Sequence, residues 1–112
     1  MTHYRVLVVE DDKSQRELMR RSVAEHVDEV AEAGSVEEAV ALKGPFDVIL
    51  CDYGLPDGTA RDVAARVRAD HFVVISGGEP PTDWDVQWIR KPVSLAELAA
   101  AVSSILWRRA DP

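Results

Sequence analysis

The chain has 112 residues, of which 46% are hydrophobic and 29% charged, with a formal net charge of -7. That length suits one domain with a single core, taken here as residues 1–112, and is too short for a catalytic domain plus a separate reader domain. The acidic balance argues against direct nucleic-acid binding, which relies on cationic side chains, and no apolar run approaches the ~18 residues of a membrane span.

Arg5 to Val9 is a nearly continuous β-branched and aliphatic run, the pattern of a strand covered on both faces in a parallel sheet. It leads straight into Glu10, Asp11 and Asp12, where crowded carboxylates repel and resist leaving water, so a positive group is expected beside them. Met19, Val23 and Val27 recur at i, i+4 and i+8 with Leu18 beside them, predicting a helix through Ser14 to His26. Asp12 is expected to cap that helix. The stretch "EVAEAG" reads as a short strand. In "SVEE", Ser35 and Glu38 form a capping-box pattern, and Val36, Ala39 and Val40 supply the apolar stripe of a second helix. "FDVILCD" is a buried strand ending at Asp52, with Cys51 expected on the opposite face, in the core.

The turn "GLPDG" stops that strand, and Ala60, Val63, Ala64 and Val67 mark a third helix. "FVVIS" and "VQWIR" are the fourth and fifth strands, and Pro92 ends the fifth because it cannot donate to a ladder. "SLAE" repeats the capping-box pattern at Ser94 and Glu97, opening a last helix with Leu95, Leu98, Val102 and Ile105 inward. "WRRADP" reads as that helix running out into a short tail. Arg20 with Arg21, and Arg108 with Arg109, are basic pairs expected on solvated faces. Strands and helices alternate, so a parallel sheet wrapped by helices on both faces is the economical fold.

In such a sheet, ligands collect beyond the carboxyl ends of the strands. Neighbouring first and third strands would bring Glu10 and Asp11 close to Asp52, a carboxylate set suited to Mg2+, which takes one or two carboxylates and keeps positions open for a phosphoryl oxygen. The Ser76 hydroxyl and Lys91 ammonium reach the same rim. Phosphoryl transfer asks for positioning and charge neutralisation, and Asp52 is placed to be the nucleophile that becomes an aspartyl phosphate. His3, His26 and His71 are scattered and lack metal-ligand spacing.

The ordered signals "VVEDD", "LCDYGLP", "VVISGG" and "QWIRKP" resemble the response-regulator receiver domains of bacterial two-component signalling, over nearly the whole chain. The resemblance implies a flavodoxin-like, doubly wound five-stranded parallel sheet of order 2-1-3-4-5. It implies that Asp52 takes a phosphoryl group from a histidine kinase or histidine phosphotransfer protein. Glu10 and Asp11, with Asp52 and the Gly54 carbonyl, would hold Mg2+. Ser76 matches the hydroxyl that moves onto the phosphoryl group, Lys91 the lysine that pairs with it, and Trp88 the switch aromatic, although a half-buried strand aromatic also serves plain packing. The Lys91–Pro92 bond would be cis. Gly54 and Gly78 occupy the positions that in the family tune hydrolysis of the phosphate, and neither has a side chain to orient or block an attacking water.

Two departures stand out. Only "GGEPPTDWD" joins the fourth strand to the fifth, too short for a helical crossover and broken by two glycines and Pro80-Pro81, so the fourth helix is expected to be missing or about one turn long. Trp84 in that segment either faces a partner or folds back over the gap, the second being preferred. Ala60 stands where the family often has glycine. The expected protein is a phosphorylation-controlled switch or phosphorelay intermediate that contacts an unidentified downstream protein, an enzyme at most toward its own phosphate. With one cysteine and no signal-peptide layout, the expected setting is cytoplasmic, without membrane contact. The alternatives are a receiver-like interaction module that is not phosphorylated, and a dehalogenase-like phosphatase, which wants an acid where Gly54 stands. Oligomeric state is left open.

Overall fold

Strands that are apolar on both faces need cover on both sides, and the chain supplies it by alternating strand and helix. A computed structural model describes residues 3–110, so the tail at Asp111 and Pro112 lies outside the described residues. Five parallel strands form the sheet: β1 (Arg5–Val9), β2 (Glu29–Ala33), β3 (Phe46–Asp52), β4 (Ala69–Ser76) and β5 (Gln87–Arg90). Their order is β2-β1-β3-β4-β5, as the resemblance implies. Register pairs Val9 with Cys51 and Asp52 with Ile75, so the carboxyl ends of the three central strands share one rim.

The period-two alternation divides the core. Val6, Val8, Val48, Leu50, Val73 and Ile75 face α1 (Lys13–Val23) and α4 (Leu95–Ala110). Leu7, Val9, Ile49, Cys51 and Val74 face α2 (Val36–Ala41) and α3 (Ala60–Arg66). Each such buried aliphatic contributes about 1.5–3 kcal/mol, the main term holding the sheet between its helices. Cys51 is buried there, as expected, and burial, followed by the Asp52 and Glu10 charges, raises its thiol well above the ordinary value.

The caps agree with the pattern and add to it. Asp12 accepts from Gln15 N at 2.9 Å and starts α1. Ser94 and Glu97 form a reciprocal box at 3.1 and 3.2 Å, and Thr59 with Asp62 forms another at α3. At α2, Ser35 accepts from Glu38 N, but the Glu38 carboxylate reaches back to Gly34 N instead of Ser35 N. Asp57, from the turn after β3, takes the other free donors, Val36 N at 2.8 Å and Glu37 N at 2.9 Å. Those two bonds, that from Glu37 first, hold its carboxyl below the usual range.

Two expectations need correction. The first helix ends at Val23 and continues only as a 3-10 turn through His26, so Val27 is extended chain leaning on the core. Leu95 is 45% exposed: it lies on the correct side of α4, beside Leu18, but at the helix start, where no further element covers it. The missing helix is as expected. Residues 77–86 join β4 to β5 without a helical turn, and Trp84 folds back, its ring 6.0 Å from Phe72 with the Arg61 guanidinium 4.8 Å above it.

Candidate functional site

The rim at the carboxyl ends of β1, β3 and β4 gathers the predicted acids. Glu10 continues β1, its N–H bonded to Ala33 O, which pulls its side chain into the body of the domain, where it is 2% exposed. Asp11 follows it on the surface, and Asp52 ends β3 with 16% of its side chain exposed. One carboxylate oxygen from each of the three lies within 4.8 Å of the others. The positive group that such crowding requires is Lys91, whose Nζ lies 3.0 Å from Asp52 Oδ1 and 3.4 Å from Glu10 Oε1.

The protonation energetics follow from this geometry. Burial raises the Glu10 carboxyl above its ordinary value; the Asp12 N–H bond opposes that, the Asp11 bond and Asp52 charge add to it, and Lys91 lowers it. For Lys91, desolvation pulls downward but is outweighed by the hydrogen bond and charge of Asp52 and then by Glu10, leaving it above the ordinary lysine value. With all groups ionised, three carboxylates against one ammonium leave the cluster at a net charge of -2. A hard dication with oxygen ligands fits that deficit and that donor set.

Ser76 ends β4 at the same rim. Its Oγ accepts from Gly78 N at 3.1 Å and makes no bond to the carboxylates. Lys91 follows β5, tied by its N–H to Ser76 O at 2.8 Å, and its bond to Pro92 is cis, as is Gly44–Pro45, which the sequence did not suggest. Gly54 begins a two-residue ladder with Thr59 and is exposed, so its carbonyl stands in the loop directly after Asp52. Trp88 on β5 packs against Tyr53, with ring centroids 5.6 Å apart, and its Nε1 donates to Gly78 O at 3.1 Å.

The sequence reading missed three contributors. Gln15 Oε1 accepts from Lys91 Nζ at 3.3 Å, and Arg16 donates to Glu10 O at 2.8 Å. Both sit on the first turn of α1, so their nearness to the acids could have been read from Asp12 as its cap. Tyr53, under Trp88, gave no local signal, because only the β4–β5 register places that ring over it. A groove of about 470 Å³ lies beside the site, lined by Leu18, Met19, Leu95 and Leu98 with Lys91 at its edge.

No family model matches the chain. Among curated proteins, the transcriptional regulatory protein AruR of Pseudomonas aeruginosa is 31% identical over 121 residues, covering 93% of this chain and 50% of AruR. The response regulator protein PilR of the same organism is 32% identical, over 95% of this chain and 27% of PilR. The chain thus spans half or less of the length of these relatives. Among solved structures, the chemotaxis response regulator CheY4 of Vibrio cholerae superposes with a TM-score of 0.74 at 23% identity, covering 93% of this chain and 99% of that one, a likeness of fold.

Proposed function

Because the chain belongs to the response-regulator receiver domains of two-component signalling, we propose that it is a phosphorylation-controlled switch whose acceptor is Asp52. The observation that carries this is the clustering of Glu10, Asp11 and Asp52 around Lys91 at the carboxyl ends of neighbouring parallel strands. An Asp52 carboxylate oxygen attacks the phosphorus of a phosphohistidine on a histidine kinase or histidine phosphotransfer protein. A P–O bond forms, the P–N bond breaks, and the imidazole keeps the electron pair.

Glu10, Asp11, Asp52 and the Gly54 carbonyl are the groups that would hold Mg2+, which neutralises charge on the phosphoryl oxygens when bound. Lys91 is already within 3.0 Å of the acceptor, so its ammonium follows the oxygen that becomes esterified and meets the new phosphoryl charge. Ser76 offers a hydroxyl to a phosphoryl oxygen once it leaves Gly78 N. Gln15 restrains the lysine from the α1 side. Trp88 couples the rim to the β5 surface, from which a downstream protein reads the state. The reading is of a cytoplasmic domain, in keeping with a single cysteine that is buried and unpaired in any internal disulfide; among the described residues no helix is long and apolar enough to cross a membrane.

Incubation with a small phosphodonor such as acetyl phosphate and Mg2+ tests the proposal. Wild-type protein should acquire a hydroxylamine-labile acyl phosphate that Asp52→Asn lacks. A wild-type chain that binds Mg2+ yet never acquires the label is an unphosphorylated interaction module instead.

A further inference from the structure

An ammonium group has three N–H donors, and each of those on Lys91 has an acceptor: Asp52 Oδ1 at 3.0 Å, Glu10 Oε1 at 3.4 Å and Gln15 Oε1 at 3.3 Å. The first two acceptors are carboxylates. Gln15 is neutral and exposed, and it stands in the first turn of α1, where its backbone N–H is bonded to the Asp12 cap. An ammonium has no lone pair to offer, so the amide oxygen of Gln15, and not its nitrogen, faces Lys91. The planar amide then turns its two N–H donors away from the lysine. Among the described residues, no acceptor is hydrogen-bonded to that nitrogen. The fold thus places an unused pair of neutral donors beside the cation of the acid cluster.

We infer that Gln15 is a phosphoryl-binding residue whose side-chain amide donates to an oxygen of the group carried by Asp52. The inference rests on the Asp52 reading above. A phosphoryl oxygen that pairs with Lys91 comes within reach of the Gln15 amide, because the amide oxygen is 3.3 Å from the same ammonium nitrogen. With all three donors already engaged, Lys91 has to release one acceptor to take that oxygen. Gln15 gives way first, since it lacks the ion-pair attraction that holds Asp52 and Glu10. The terminal torsion of a glutamine side chain is soft, so a small rotation brings the NH2 onto the phosphoryl oxygen. One amide therefore accepts from the ammonium in the resting site and donates to the anion in the occupied one. No charged side chain serves both purposes here. A carboxylate would add a fourth negative charge to the three present and repel the phosphoryl group, and a second cation would repel Lys91.

Gln15 and Gln87 carry the only side-chain amides in the chain, which contains no asparagine. Gln87 opens β5, at the opposite end of that strand from Lys91, and serves as an internal control. The test is titration of the whole chain with beryllium fluoride, a phosphoryl mimic whose fluorines stand for the phosphoryl oxygens, at fixed Mg2+, followed by calorimetry and by the side-chain amide proton resonances. In wild type the Gln15 NH2 protons, identified by their loss in Gln15→Met, should move downfield as the mimic binds, while those of Gln87 stay. Gln15→Met should bind Mg2+ as wild type does and bind the mimic about threefold to thirtyfold more weakly. If that variant does not fold, Gln87→Met identifies the resonances and Gln15→Ala supplies the affinity. Tighter binding by the variant would make Gln15 a competitor for the ammonium, and weaker binding without a downfield shift would make it only a restraint on Lys91. Either result, or an unchanged affinity, would overturn the contact alone. Failure of the wild type to bind the mimic would overturn both the contact and the Asp52 reading.

Discussion

Glu10 is the one buried charge-bearing side chain among the described residues, and its cost in the absence of metal is measurable. Its carboxyl is raised above the ordinary value chiefly by burial. Between the ordinary and the raised values the folded state holds more protons than the unfolded one, so stability falls as pH rises through that window and stays reduced above it. In a chelating buffer, Glu10→Gln should therefore melt higher than wild type at neutral pH and show a flatter dependence on mild acid. It should also lose Mg2+ affinity, and parallel pH curves for the two proteins would contradict this account of the site. Gly54 makes a second prediction. A Cβ there meets nothing within 4 Å, so a long side chain fits without disturbing the fold and would stand at the mouth of the site. Gly54→Arg should slow hydrolysis of the aspartyl phosphate severalfold, because the open mouth otherwise admits water freely; an unchanged rate would show that the residue does not control water access.

At the scale of elements, the crossover after β4 is the feature that sets this domain apart. Its helix is absent because the ten residues 77–86, with two glycines and two prolines, cannot make the turns, and the sequence displays this directly. How the gap is covered is less local. Trp84 fills it by packing on Phe72 and under Arg61, residues from β4 and α3 that no sequence window brings together. Trp84→Ala should cost roughly 1–2 kcal/mol of stability, less than the ~3–5 of a fully buried aromatic because the residue is only partly buried. Denaturant melts would measure it, and a loss below a few tenths would mean the ring is surface decoration. Non-local placement also explains the other missed features. Asp57 caps α2 from a turn twenty residues away, and Leu95 follows its helical period correctly yet is left 45% exposed. Period and capping boxes are local signals, whereas cover and long-range caps depend on how elements meet.

On the scale of the molecule, the site was legible because the topology does the assembling. Once β1 and β3 are parallel neighbours, acids at both carboxyl ends must meet, and a lysine after β5 points at the same rim. What stayed hidden were links made by register and side-chain geometry: Gln15 on Lys91, Arg16 on the Glu10 carbonyl, and the Trp88 indole on Gly78. The central claim is that the acid cluster binds a phosphoryl group and that the fold responds. The most direct measurement is tryptophan emission on adding Mg2+ and then beryllium fluoride, for wild type and Asp52→Asn. Trp88 lies beside Asp52's neighbour Tyr53, whereas Trp107 is 75% exposed on the last helix and should report little. A saturable, Mg2+-dependent change that Asp52→Asn abolishes is the predicted result. An identical response in Asp52→Asn, or none in wild type while Mg2+ still binds, would contradict it.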